Sequence, residues 1–153
     1  MSTADTEPLT AVPAGHQVPA ARHLTPRAVV GALWLFATLN YLYCDVLSLH
    51  DRVYLNALLA GSADGVVFTQ PVMLSAGVLM TIPMAAVLVS RIAPHRVARW
   101  YSVVAGVVMA VVQVATMGFG TDPTLLYLYF SAIEIATTAF IAWFAVSRWR
   151  VDN

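Results

Sequence analysis

Lysine is absent from the 153 residues, and cysteine occurs once, at Cys44. A single thiol excludes an intrachain disulfide and any paired-thiol redox chemistry. Charged residues make up only 10% of the chain and balance to a net charge of zero. No basic face is left to neutralise phosphates, so a nucleic-acid partner is not expected. The four histidines, His16, His23, His50 and His95, avoid the centres of the long apolar runs, which excludes axial haem ligation within a helical bundle. No serine stands in a pattern with histidine and acid that suggests a hydrolase. With no cofactor motif either, the chain reads as non-enzymatic and cofactor-free.

What the sequence has in excess is apolar surface. Hydrophobic residues reach 59%, against roughly 45–50% in soluble domains, where charge is also about 25%. A lipid bilayer accounts for both departures, and four runs are long enough to cross it. The expected spans cover about 26–49, 71–90, 100–118 and 123–147, giving an all-α, four-helix transmembrane bundle with up-down-up-down connectivity. Residues 1–25 carry Pro8, Pro13 and Pro19 among small polar residues and are expected to form a disordered cytoplasmic tail. The first span is read as an uncleaved anchor, because its apolar run starts late and is span-length. Thr25 and Pro26 suit its N-cap and first turn, and Asp122 and Pro123 those of the fourth span.

Helical-wheel positions sort each span into two faces. In the first, Leu35, Phe36, Leu39, Leu42, Val46 and Leu47 form a lipid side, while Ala37, Asn40, Tyr41, Cys44, Asp45 and Ser48 form a protein side. In the second, Gly77, Thr81 and Ala85 make a small-residue ridge suited to helix contact. Pro83 lies inside that span and is expected to kink it, opening room beside Glu134. In the third, Ser102, Gly106, Ala110, Gln113 and Met117 turn inward. In the fourth, Tyr127, Ser131, Glu134, Thr138 and Ala145 share one face. Between the first two spans, residues 53–60 suit a short surface helix ended by Gly61.

Seven of the eight arginines fall at the end of the bundle that holds both termini. The positive-inside rule makes that end cytoplasmic and the protein a multi-pass component of the plasma (inner) membrane. Trp100, Trp143 and Trp149 are expected at the same interface.

Glu134 poses the functional question. A carboxylate at mid-bilayer costs about 2.5–3.5 kcal/mol on insertion scales, so it turns to the bundle interior, finds partners or takes a proton. At 1.5 Å per residue Glu134 lies about 14–16 Å into its span, close to the depth of Asn40. Glu134, Asn40, Gln113, Asp45 and Tyr41 form the candidate substrate- or proton-binding set; no metal site is indicated.

The region from about residue 28 to 150 resembles an uncharacterised bacterial family of small four-span membrane proteins. The likeness is carried by Tyr41-Leu42-Tyr43-Cys44-Asp45, Thr69-Gln70, Ile82-Pro83, Arg99-Trp100, and Ile133-Glu134 followed by threonines and Trp143. It implies the architecture and a recurring acid pair, and it argues against an essential role for the Cys44 thiol. Two function classes follow. One is a proton- or cation-linked carrier of a small molecule, working as a homodimeric exporter in the general manner of four-span multidrug carriers built around one membrane glutamate. Their acid lies in the first span, so that analogy covers span count and chemistry only. The other is a structural or accessory membrane subunit whose polar groups only join helices.

Overall fold

The computed structural model describes residues 25–63, 65–118 and 124–149. The tail expected over residues 1–25 lies almost entirely outside them. Among the described residues, five helices and one small hairpin occur in the order α1 (Pro26–Ser48), α2 (Arg52–Leu59), β1 (Ser62–Ala63), β2 (Val66–Val67), α3 (Gln70–Ile92), α4 (His95–Thr116) and α5 (Leu125–Ser147). Helices α1, α3, α4 and α5 are long and apolar enough to cross a membrane. At 1.5 Å per residue a 23-residue helix spans about 35 Å, more than the hydrocarbon core of about 30 Å.

The four long helices form a ring in chain order. Helix α1 packs on α3 and α5, and α4 packs on the same two, so α3 stands across the bundle from α5. This is the expected all-α four-helix bundle. The lipid side of α1 is as the wheel places it, with Leu35, Phe36, Leu39, Leu42, Val46 and Leu47 all exposed. Val30, Trp34, Ala37 and Tyr41 turn inward to meet Ala86, Ala98, Ala105, Met109, Ile141, Ala145 and Trp149.

Local chemistry sets the ends. Thr25 Oγ1 accepts from the Ala28 amide at 3.3 Å, and Pro26 fills the first turn, where a missing N–H goes unnoticed. The N-cap of α5 is Thr124, whose Oγ1 accepts from the Tyr127 amide at 3.2 Å. Asp122 and Pro123, expected in those roles, lie outside the described residues. Asp51 caps α2 through Oδ1, which accepts from the Val53 amide at 2.8 Å. Gly61, at φ 84°, ends the turn after α2 in a conformation that costs other residues strain. The hairpin beyond it pairs Ser62 with Val67 and Ala63 with Val66. Gly65, at φ 78°, lies in its turn, and the Asp-Gly pair in the sequence is a hairpin signal that the reading of the interlude passed over.

Four expectations are corrected. The link expected over residues 91–99 shrinks to Ala93 and Pro94, because helix continues to Ile92 and resumes at His95. The ridge of Gly77, Thr81 and Ala85 does not join helices within the chain: Gly77 and Thr81 are exposed, and the buried stripe of α3 is Pro83, Ala86 and Ser90. Since α3 packs chiefly on α1 and α4, Pro83 stands outside the main α1–α5 and α4–α5 contacts that hold Glu134. Trp149 is not an interfacial ring like the exposed Trp100 and Trp143; it is fully buried, edge-on to His95 at 5.4 Å between ring centroids.

Arginines bind the terminal end together. Arg27 Nη1 donates to the Ala93 carbonyl at 2.8 Å, and Arg99 donates through Nε to Ala145 O at 2.8 Å and through Nη2 to Val146 O at 3.0 Å. Each guanidinium satisfies carbonyls at the end of a neighbouring helix and faces the negative pole of its dipole.

Candidate functional site

The middle of α5 presents Ser131, Glu134 and Thr138 to the bundle interior at spacings of three and four, and all three are buried. Glu134 is 1% exposed. Counted along the helices, it lies about 13 Å from the start of α5, and Asn40 about 12 Å from the end of α1. That shared depth brings them together. Asn40 Nδ2 donates to Glu134 Oε1 at 3.0 Å and makes a longer contact of 3.4 Å with the Phe130 carbonyl. The second carboxyl oxygen has no hydrogen-bond partner among the described residues.

Tyr41 follows Asn40 on the same inward face and is 6% exposed. Its hydroxyl is buried and makes no hydrogen bond among the described residues. Buried polar groups are paired in the great majority of cases, so an orphaned hydroxyl one residue from the Glu134 partner Asn40 calls for a reason.

Gln113 does not reach Glu134. Its Nε2 donates to Ser131 Oγ at 2.8 Å, one turn nearer the α2 end of the bundle. A further turn outward, Tyr127 donates from its hydroxyl to Thr116 Oγ1 at 3.0 Å. Asp45 is exposed, and its carboxylate makes no hydrogen bond or ion pair among the described residues. The candidate set thus separates into a buried core of Glu134, Asn40 and Tyr41, a neighbouring pair of Gln113 and Ser131, and a peripheral Asp45. Ser131 and the Thr116–Tyr127 pair were not in the candidate set, although the four-residue step from Tyr127 to Ser131 on the polar face of α5 pointed to them.

On the other side of Glu134 the packing is dry and close. A Cβ on Gly106 would stand 2.8 Å from the Thr138 carbonyl and 3.2 Å from the Ala142 Cβ, so only glycine permits this approach of α4 to α5. Thr138 donates its hydroxyl to the Glu134 carbonyl at 2.7 Å, with a longer contact to Ile135 O. Trp34 Nε1 donates to Ser102 Oγ at 3.3 Å, with both residues fully buried.

Two cavities, of about 490 and 260 Å³, lie away from this cluster. The first is lined by Leu58, Phe68, Val72, Met73 and Ala76, the second by Val78, Thr81, Ile82, Ala85 and Tyr101. Among the described residues, no three His, Cys, Asp or Glu side chains converge as metal ligands would. Among the described residues, the one side-chain donor that reaches the Glu134 carboxyl is the Asn40 amide.

No curated protein and no solved structure matches the chain. A model of the family of unknown function DUF6326 matches residues 22–153, and the chain belongs to that family.

Proposed function

We propose that this protein is a small proton- or cation-linked membrane carrier in which Glu134 is the exchanging group, with both termini in the cytoplasm and the polar site nearer the outer face. The observation that supports the reading is incomplete satisfaction. A carboxyl kept only to join helices would spend both oxygens on partners, whereas among the described residues Glu134 spends one on Asn40 and leaves the other unpaired, and the buried hydroxyl of Tyr41, next to Asn40 on α1, is unpaired as well. As a carboxylate the free oxygen accepts a hydrogen bond; as an acid it donates one. Tyr41 can serve either state, since a phenol both donates and accepts. Asn40 holds the other oxygen throughout, so the site changes protonation without losing its interhelical bond.

The test is thermal unfolding in detergent, across pH and a panel of alkali cations and hydrophobic amines, for wild type and Glu134→Gln. Gln keeps the shape and the bond from Asn40 while deleting titration. A pH- or cation-dependent midpoint seen only in the wild type is expected. Superimposable curves for the two proteins would overturn the carrier reading and leave Glu134 as interhelical glue in an accessory subunit.

A further inference from the structure

We infer that Glu134 exchanges protons with one side of the membrane only, through a polar column on α5 and α4 that opens at the α2 end of the bundle. The inference rests on the reading of Glu134 as the exchanging group and adds the route and its direction.

The column is built from residues one helical turn apart. At its mouth are Tyr127, which is half-buried, and Thr116, which is exposed; next come half-buried Gln113 and fully buried Ser131; then comes Glu134. Exposure falls steadily along this line while polarity persists. The spacing of three to four residues leaves about 5–6 Å between successive Cβ atoms, a gap that a side-chain hydroxyl or one bridging water closes. Ser131 is placed to pass a proton on, because Gln113 fixes its oxygen from one side and its own hydrogen is not donated to any described residue. Gln113 is a positioning residue, since an amide orients the serine without itself relaying.

Beyond Glu134 the same interface offers no continuation. Gly106 brings the α4 backbone against the Thr138 carbonyl, and Ile141, Ala145 and Trp149 follow, all fully buried. The Thr138 hydroxyl is committed to backbone carbonyls. Ser102 and Trp34 hold each other with no exposed surface. Trp149 and the Arg99 contacts then close the terminal end.

The proton balance is simple. A proton entering at Tyr127 displaces another at each free hydroxyl or water in turn, and the last one converts the Glu134 carboxylate to the acid; Thr116, whose own hydroxyl donates to the Gln113 carbonyl at 2.9 Å, positions Tyr127 without relaying. Release reverses each step, and no other reactant is consumed. The titratable groups near Glu134 from α1 are Tyr41, Cys44 and Asp45; on its own helix Tyr127 stands two turns away on the same face and donates to Thr116. Helix α4 contributes none between Ser102 and Thr116.

The experiment is a pH jump on the full-length protein in lipid vesicles, followed by time-resolved infrared absorption of the protonated carboxyl. The band absent from Glu134→Gln identifies the residue. Ser131→Ala and Gln113→Leu should each slow its appearance about tenfold, the scale of one hydrogen bond lost from the barrier. Thr138→Val, on the closed side, should keep the wild-type rate. Gln113→Met provides a second column variant should Ser131→Ala not fold. Wild-type rates in the column variants, or equal slowing in Thr138→Val, would overturn the route while leaving Glu134 titratable. A carboxyl band at Glu134 that never responds to pH would overturn the exchange itself.

Discussion

Tyr41→Phe should make the protein more stable. The ring of Tyr41 is packed into the core, 6% exposed, and its hydroxyl is desolvated without a partner among the described residues. Burying an unpaired hydroxyl costs about 1–3 kcal/mol by protein mutational data. Phenylalanine keeps the ring and removes that cost. The missing oxygen leaves a void smaller than a methyl group, worth less than about 1 kcal/mol against the change. The balance favours the variant by roughly 1 kcal/mol. Reversible unfolding in mixed micelles, titrated with a denaturing detergent, measures the midpoint directly. A Tyr41→Phe protein less stable than wild type by about 1 kcal/mol or more would refute the reasoning, because it would show that the hydroxyl has a partner in the membrane. If Tyr41 serves the second protonation state of Glu134, the stabler variant also loses the pH or cation response, a trade of stability for function.

Two further outcomes follow from the packing and the charge pattern. Gly106→Ala places a methyl group 2.8 Å from the Thr138 carbonyl, where backbone must move; it should destabilise the bundle by about 1–3 kcal/mol, read in the same unfolding titration, and no loss would show that α4 and α5 do not approach so closely. In a Cys44→Ala background, Val66→Cys on the exposed hairpin should react with an impermeant thiol reagent on intact cells, while Arg96→Cys should be spared. The opposite labelling would reverse the orientation.

The bundle was legible because lipid imposes a strong pattern: span-length apolar runs, a few polar side chains turned inward, and arginines gathered at one end. Asn40 and Glu134 were legible as partners because few polar groups occupy their depth. The wheel gives a face but not which neighbour that face meets. Gln113 therefore read as a partner of Glu134, while the α4–α5 contact sets it against Ser131. Four residues turn a helix by 400°, so Asp45 sits about 40° round from Tyr41, enough to bring it to the surface while Tyr41 stays buried. The ridge of Gly77, Thr81 and Ala85 has the right spacing for contact, but spacing alone does not say which ridge of α3 faces in. Trp149 read as interfacial because the wheel ends with the helix, whereas the chain leaves α5 at Arg148 and folds its ring under His95.

The two ends of the bundle are held by interactions of different strength, and this bears on how a carrier of this shape would move. At the terminal end, guanidinium groups clasp the last carbonyls of neighbouring helices, and charged donors make hydrogen bonds roughly twice as strong as neutral ones. Gly106 adds backbone contact over the terminal half of the α4–α5 pair. At the α2 end that pair is joined by neutral side-chain bonds, Gln113 to Ser131 and Tyr127 to Thr116. Polar bonds of this kind between membrane helices are worth about 0.6 kcal/mol each, so separating α4 from α5 there costs little beyond the packing lost. An opening would therefore begin at the α2 end and pivot on the arginine-bound end. It would wet the column from Thr116 down to Glu134 before it disturbed the core around Trp34 and Met109. The polar column and the weaker end coincide, which is the arrangement that access from one side requires.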